Sequence, residues 1–131
     1  MNKDYSRGVG VMIIQDSKLL LTYRFKGEQL GVWEVVAGHR EAGETPEETA
    51  IREAKEETGL EIRILSTLGK NIDDTFKFEA DILLAEVVSG QSQNLDTRNH
   101  SKLEWFDLSD LPSPLGSTTV KGLECLLRLG K

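Results

Sequence analysis

The stretch GETPEETAIREAKEETGL, Gly43 to Leu60, decides how the rest of the chain is read. Thr45 is a good N-cap, Pro46 suits the first helical position, and Glu48 stands three residues on, completing a capping box. Gly59 is a natural stop. Start and stop signals agree on a helix from Pro46 to Thr58. With about 100° per residue and Glu53 set at zero, Glu56 lies at about −60° and Glu57 at about +40°. The three acids form one stripe. Ala50, Ala54, Thr58 and Ile51 fall between about +60° and +160° and form an adjoining apolar stripe for burial.

Glu53–Glu56 and Glu53–Glu57 are like-charge pairs at helical spacing, each costing about 0.2–0.5 kcal/mol. Glu48–Arg52 and Arg52–Glu56 are favourable i,i+4 pairs that offset part of this. A helix meant only to pack has no use for such a stripe. The bland reading is a solvated acidic face. Three features favour a cation site instead: the stripe is narrow, it adjoins the apolar stripe, and a Gly-containing loop precedes it and can bring a backbone carbonyl close. Carboxylates and a carbonyl are hard oxygen ligands, suited to Mg²⁺ or Mn²⁺.

Outward from the helix, strands dominate. GVGVMII (Gly8 to Ile14) and KLLLTYR (Lys18 to Arg24) flank a QDS turn and read as a hairpin. FKGEQLG is a loop, and Val32 to Gly38 reads as a third strand. LEIRILSTLGK reads as a strand with a bend, TFKFEADILLAEVVSG as a long strand, and Leu103 to Leu108 as a short one. QSQNLDTRNHS is a polar loop without periodicity. TVKGLECLLRL closes the chain as an amphipathic helix with Val120, Leu123, Leu127 and Leu129 as its expected apolar contacts. This order predicts an α+β fold, an α/β/α sandwich with a mixed β-sheet flanked by helices.

The chain has 131 residues, 38% hydrophobic and 29% charged, which suits a single domain over residues 1–131. Its formal charge of −6 argues against a nucleic-acid polymer as partner, which needs clustered Lys and Arg. An anionic small molecule stays possible, because a bound cation inverts the local field. Cys125 is the only cysteine and sits among apolar residues, as core. No secretory leader and no membrane span is read, so a cytoplasmic protein is the expectation.

GHREAGETPEETAIREAKEETGL, Gly38 to Leu60, resembles the signature of the Nudix hydrolase family, G-x5-E-x7-R-E-U-x-E-E-x-G-U with U a bulky apolar residue. Gly38, Glu44, Arg52, Glu53, Glu56, Glu57 and Gly59 occupy every fixed position, Leu60 fits the last U, and Ala54 is smaller than usual at the first. The G-x-W-E run at Gly31 to Glu34 and the E-W-F-x-L-x-x-L-P run at Glu104 to Pro112 are also common in the family, so the resemblance covers most of the chain. It implies hydrolysis of a nucleoside diphosphate linked to another group, with one or more divalent cations. It implies Glu56 and Glu57 as principal metal ligands, and Glu53 as a further ligand or the residue orienting the attacking water. It also implies the Gly38 carbonyl as a backbone ligand, and Glu44 with Arg52 as the pair that fixes loop to helix.

The compact length favours a (deoxy)nucleoside triphosphate. ADP-ribose, dinucleotide polyphosphates, nucleotide sugars and a non-catalytic nucleotide sensor are the alternatives. The assembly reads as a monomer or homodimer. Tyr23, Phe25, Trp33, Phe76, Phe78 and Trp105 are aromatic candidates for stacking a base, with core packing favoured for the two tryptophans. Tyr23, Phe78, Arg24 and His100 are the candidate substrate contacts. Arg24 and Lys26 suit either phosphates or a solvated strand end. Two departures stand out. VVAGH replaces the Pro-Gly-Gly that many members have before the box. Some members also supply a carboxylate from the loop before the Trp-containing strand. In DTRNHSKLEW, Asp96 is far from Trp105 along the chain and Glu104 adjoins it. His100 is a candidate base there, or a plain exposed loop histidine.

Overall fold

A computed structural model describes residues 4–25, 30–98 and 100–129. Lys26 and most of the FKGEQLG loop lie outside them. The described residues form β1 (Ser6–Gln15), β2 (Lys18–Arg24), β3 (Trp33–Glu34), β4 (Val36–His39), α1 (Pro46–Thr58), β5 (Glu61–Asp73), β6 (Phe78–Ser89), β7 (His100–Asp107) and α2 (Ser117–Arg128). The strands make one seven-stranded sheet in the order β3-β2-β1-β6-β5, with β4 added on β1 and β7 on β2. β1 and β6 run parallel and the other pairs antiparallel, so the sheet is mixed as expected.

The alternation along β1 builds two layers. Val9, Val11 and Ile13 point to one face, where they meet Ala50 and Ala54 of α1 with Leu83 and Ala85 of β6. Met12 points to the other face, with Ile82, Trp33 and Leu126 of α2. The sandwich read from the sequence is therefore the one formed. The hairpin turn is Asp16–Ser17, both with positive φ (54° and 63°). That geometry matches the twist of the flanking strands. β5 carries three register shifts against β6, which are the bend.

The third strand departs from the sequence reading. Val32 to Gly38 does not run as one strand but breaks at Val35. Trp33 and Glu34 pair with β2, whereas Val36 to His39 pair with β1. The Val35 N–H is taken by Thr119 Oγ1 of α2 at 2.9 Å. Glu34, 3% exposed, accepts from the Thr119 N–H at 2.8 Å and from the Thr119 hydroxyl. Its carboxylate thus caps the first turn of α2 from outside, where the N-cap residue Gly116 has no side chain to do so.

α2 also buries a different face from the one expected. Val120, Leu127 and Leu129 are exposed, and Leu123 is half-buried. Thr118, Thr119, Gly122, Cys125 and Leu126 face inward instead. Close approach chooses the face: a Cβ on Gly122 would lie 2.3 Å from Met12 Sδ, and one on Gly10 2.4 Å from Thr118 Cγ2. Small residues let the helix sit down on the sheet, and Val120, Leu127 and Leu129 are left outside. Cys125 is core, as read.

Candidate functional site

α1 begins and ends where its sequence dictates. Thr45 is the N-cap, its hydroxyl accepting from the Glu48 N–H at 3.1 Å while Glu48 Oε1 accepts from the Thr45 N–H at 2.9 Å. Gly59 closes the helix in the left-handed region with φ 78°. Glu48 is thereby engaged, and among the described residues the ion pairs of Arg52 run to Glu41, Glu44, Glu53 and Glu56 rather than to Glu48.

Arg52 is the frame of the site. Its Nε and Nη2 hold the two Glu44 oxygens at 2.6 and 3.0 Å, a forked pair. Nη2 also donates to the His39 carbonyl at 3.0 Å, and Nη1 to Glu53 at 2.9 Å and Glu56 at 3.2 Å. Glu44 further accepts from the Glu41 N–H and the Thr49 hydroxyl. The guanidinium first, then the Glu41 N–H, hold the Glu44 carboxyl down at about 2. The same contact pushes Arg52 up. Loop 39–45 is thus locked to the middle of the helix.

The signature glycine has a spatial reason. A Cβ on Gly38 would fall 2.1 Å from the Glu53 carboxyl carbon, so only glycine lets β4 lie against that carboxylate. Gly8 in turn passes close over Gly38, where an added Cβ would lie 2.1 Å from the Gly38 carbonyl oxygen.

The three acids are not equivalent. The Glu56 side chain is 57% exposed and Glu53 is 14%. Glu57 is buried at 6%. Thr49, Ala50, Ala54, Glu57 and Thr58 form the buried face, while Ile51 is exposed. The expected apolar stripe is therefore rotated, and two carboxylates fall inside its arc. Burial pushes Glu57 well up, and its hydrogen-bond contact with Glu53 pushes it further. Its Oε1 is buried without a hydrogen-bond partner among the described residues.

What stands opposite Glu57 was not read from the sequence. The Gln93 and Leu95 N–H groups bond to the Thr58 and Glu57 carbonyls, both at 2.9 Å, docking the polar loop on the end of α1. This brings Asp96 beside Glu57. The Asp96 carbonyl accepts the His100 N–H at 3.0 Å, and His100 opens β7, 5% exposed. His100 is accordingly neither a loop residue nor exposed. Its Nδ1 lies 3.7 Å from Asp96 Oδ2 and 4.0 Å from Glu57 Oε1, beyond hydrogen-bond reach of both. Burial, then the charge of Arg24, push the imidazole down. Arg24 pairs with His100 across β2 and β7, and its Nε is also buried without a partner among the described residues. Two of these unpartnered atoms, Glu57 Oε1 and His100 Nδ1, thus face each other across 4.0 Å.

The other candidates are placed elsewhere. Tyr23 packs on Trp33 in the α2-side core, ring centroids 5.2 Å apart. Phe78 meets the His39 ring edge-on at 5.4 Å, and Phe25 is exposed. Trp33 and Trp105 both pack in the core, Trp105 donating to Ser92 Oγ at 3.2 Å. Glu104 is exposed and alternates with Leu103 and Trp105, which face α1. A concavity lined by Arg7, Arg40, Lys70, Glu79 and Asp81 opens beside loop 39–45.

The NUDIX domain family profile matches residues 4–124. The chain belongs to the NUDIX family. It is 33% identical over 105 residues to an ADP-ribose pyrophosphatase of Methanocaldococcus jannaschii, covering 77% of this chain and 61% of that one. It is 28% identical over 108 residues to a putative 8-oxo-dGTP diphosphatase of Bacillus subtilis, covering 82% and 70%. Among solved structures, a MutT NUDIX hydrolase from Burkholderia pseudomallei superimposes with a TM-score of 0.84 at 29% identity, covering 95% of this chain and 99% of that one. The chain spans 42%, 61% and 70% of the length of three curated relatives it matches. Among the described residues, no helix is long and apolar enough to cross a membrane.

Proposed function

We propose that this Nudix chain hydrolyses the pyrophosphate bond of a nucleoside diphosphate linked to a further group. A (deoxy)nucleoside triphosphate is the leading substrate, giving a monophosphate and pyrophosphate. The observation that carries the reading is an oxygen of buried Glu57 with no partner among the described residues, on a carboxyl that meets Glu53, which itself lies against Gly38. A buried carboxylate left without a donor is costly unless a ligand completes it. Hard oxygen donors from Gly38, Glu53, Glu56 and Glu57 fit a divalent cation, Mg²⁺ or Mn²⁺. Such a cation supplies neutralisation of the diphosphate charge and a lowered pKa for bound water.

The chain's own groups then have separate duties. The Glu44–Arg52 fork fixes loop 39–45, and with it the Gly38 end of β4, against α1. Glu53, held by Arg52 Nη1 at 2.9 Å, orients the attacking water. Water oxygen bonds to phosphorus, the bridging oxygen leaves with its phosphate, and the water proton passes to a carboxylate or to solvent. Arg7, Arg40 and Lys70 offer positive charge for phosphate oxygens along the concavity. ADP-ribose is the second substrate class, favoured by the 33% identity to an ADP-ribose pyrophosphatase.

A nucleotide panel with Mg²⁺ or Mn²⁺ and product identification tests this reading. Phosphate-bearing products from one class, abolished in Glu56→Gln and Glu57→Gln, are expected. No product from any nucleotide sinks the enzymatic reading, and full activity in both variants sinks the site.

A further inference from the structure

We propose that Glu57, Asp96 and His100 form a mixed oxygen–nitrogen site for a first-row transition dication, Mn²⁺ or Co²⁺ in preference to Mg²⁺. It adjoins the helix carboxylates. It deepens the metal-dependent reading above by adding a nitrogen donor and a loop carboxylate that the α1 stripe does not contain.

One ligand atom from each of the three residues lies within 4.8 Å of the others. Atoms spaced in this way can surround one ion at metal–ligand distances of about 2.0–2.6 Å after small side-chain adjustments. Two independent features mark the cluster as more than an acidic patch. Glu57 Oε1 and His100 Nδ1 are both buried, both lack a hydrogen-bond partner among the described residues, and face each other across 4.0 Å. A histidine closing an ion pair would bring Nδ1 within hydrogen-bond distance of Asp96 or Glu57, and it does neither. The backbone supports the arrangement: the loop is tied to the α1 carbonyls at Thr58 and Glu57, and His100 is tied to Asp96. Nitrogen donors suit transition ions, whereas Mg²⁺ gains little from them.

The test is Mn²⁺ binding by the full chain, followed by pulsed electron paramagnetic resonance for ¹⁴N coupling to the bound ion. The chain has two histidines, so His39→Gln serves as the control. Imidazole ¹⁴N coupling in wild type, kept in His39→Gln and lost in His100→Gln, is the expected result. Mn²⁺ affinity should fall about 10–100-fold in His100→Gln and in Asp96→Asn, with Mg²⁺ affinity changing less in His100→Gln. Bound Mn²⁺ without nitrogen coupling in wild type overturns this site and leaves the oxygen-ligand reading standing. Coupling that vanishes with His39→Gln instead also overturns it. Absence of Mn²⁺ binding overturns both. The wild-type spectrum alone decides the matter should a variant fail to fold.

Discussion

Glu44 and Glu57 flank the same helix and are treated in opposite ways. Glu44 receives two guanidinium N–H groups, a backbone N–H and a hydroxyl, and its carboxyl is held near 2. Glu57 is more deeply buried, has an oxygen with no donor, and is pushed up by burial and by Glu53. One acid is fully bonded by its neighbours; the other keeps an oxygen that the described residues leave without a donor. The difference separates frame from site. Arg52 belongs to the frame, yet it also reaches Glu53 and Glu56, so the two regions meet on one guanidinium.

Removing one acid at a time gives the largest expected effect. Glu57→Gln should cut turnover about 10²–10³-fold, the scale of losing one preorganised electrostatic group. Its metal-free melting temperature should hold or rise, because an amide replaces a carboxyl whose charge is penalised by burial. Glu44→Gln should lower the melting temperature, since it weakens the fork that ties loop 39–45 to α1. Its turnover should fall about 10–100-fold, the range for groups that orient ligands. Steady-state kinetics and thermal melts in a chelator check both. A lower metal-free melting temperature for Glu57→Gln than for Glu44→Gln would invert the comparison.

The frame was legible in the sequence, and half the site was not. The Thr45–Glu48 box, the Gly59 stop and the Glu44–Arg52 pairing rest on local spacing or on a contiguous motif. The Asp96–His100 side rests on long-range contacts. It forms because the loop N–H groups find the open carbonyls of α1, and because β7 registers His100 against Arg24. No periodicity marks either event. The resemblance drew attention to this loop and to His100, but nothing in the sequence set Asp96 and His100 against Glu57, because a loop gives their spacing no fixed geometry. The α2 misreading has a related cause. Hydrophobicity pointed to Val120, Leu127 and Leu129, but steric fit of Gly122 on Met12 set the face.

The comparison also predicts opposite pH dependences. Glu44 is lowered, so its contribution is present above its ordinary value of 4.5 and is lost as pH falls toward about 2. Glu57 is raised, so its contribution is fully present below 4.5 and is lost as pH rises through its folded value. Glu34 has the same sign through burial. Metal-free stability should therefore decline from about pH 5 upward, and less steeply in Glu57→Gln, which leaves the Glu34 part. Saturating Mn²⁺ should oppose that decline, because ligation requires ionised Glu57 and stabilises the folded state by mass action. Melts across pH with chelator and with Mn²⁺ check this. A chelator profile that is identical in wild type and Glu57→Gln would remove Glu57 from the comparison.

The smallest expected effect tests why Glu57 is buried at all. On a helical wheel with Glu53 at zero, Thr49 lies at about −40° and Thr58 at about +140°, and both are buried. Ile51, at about +160°, is 39% exposed. The inward arc thus covers Glu53 and Glu57 and stops short of the one large aliphatic residue in the helix. Ile51→Gln should then change stability by less than about 0.5 kcal/mol, as for a surface position. Ala54→Gln, on the arc and fully buried, should cost about 1–3 kcal/mol or more by overpacking. Urea unfolding of the two variants measures both. An Ile51→Gln cost as large as that of Ala54→Gln would mean that α1 is turned toward Ile51. Glu57 would then sit nearer solvent, its raised pKa and its orphan oxygen would lose their cause, and its contrast with the Arg52-bound Glu44 would no longer rest on burial.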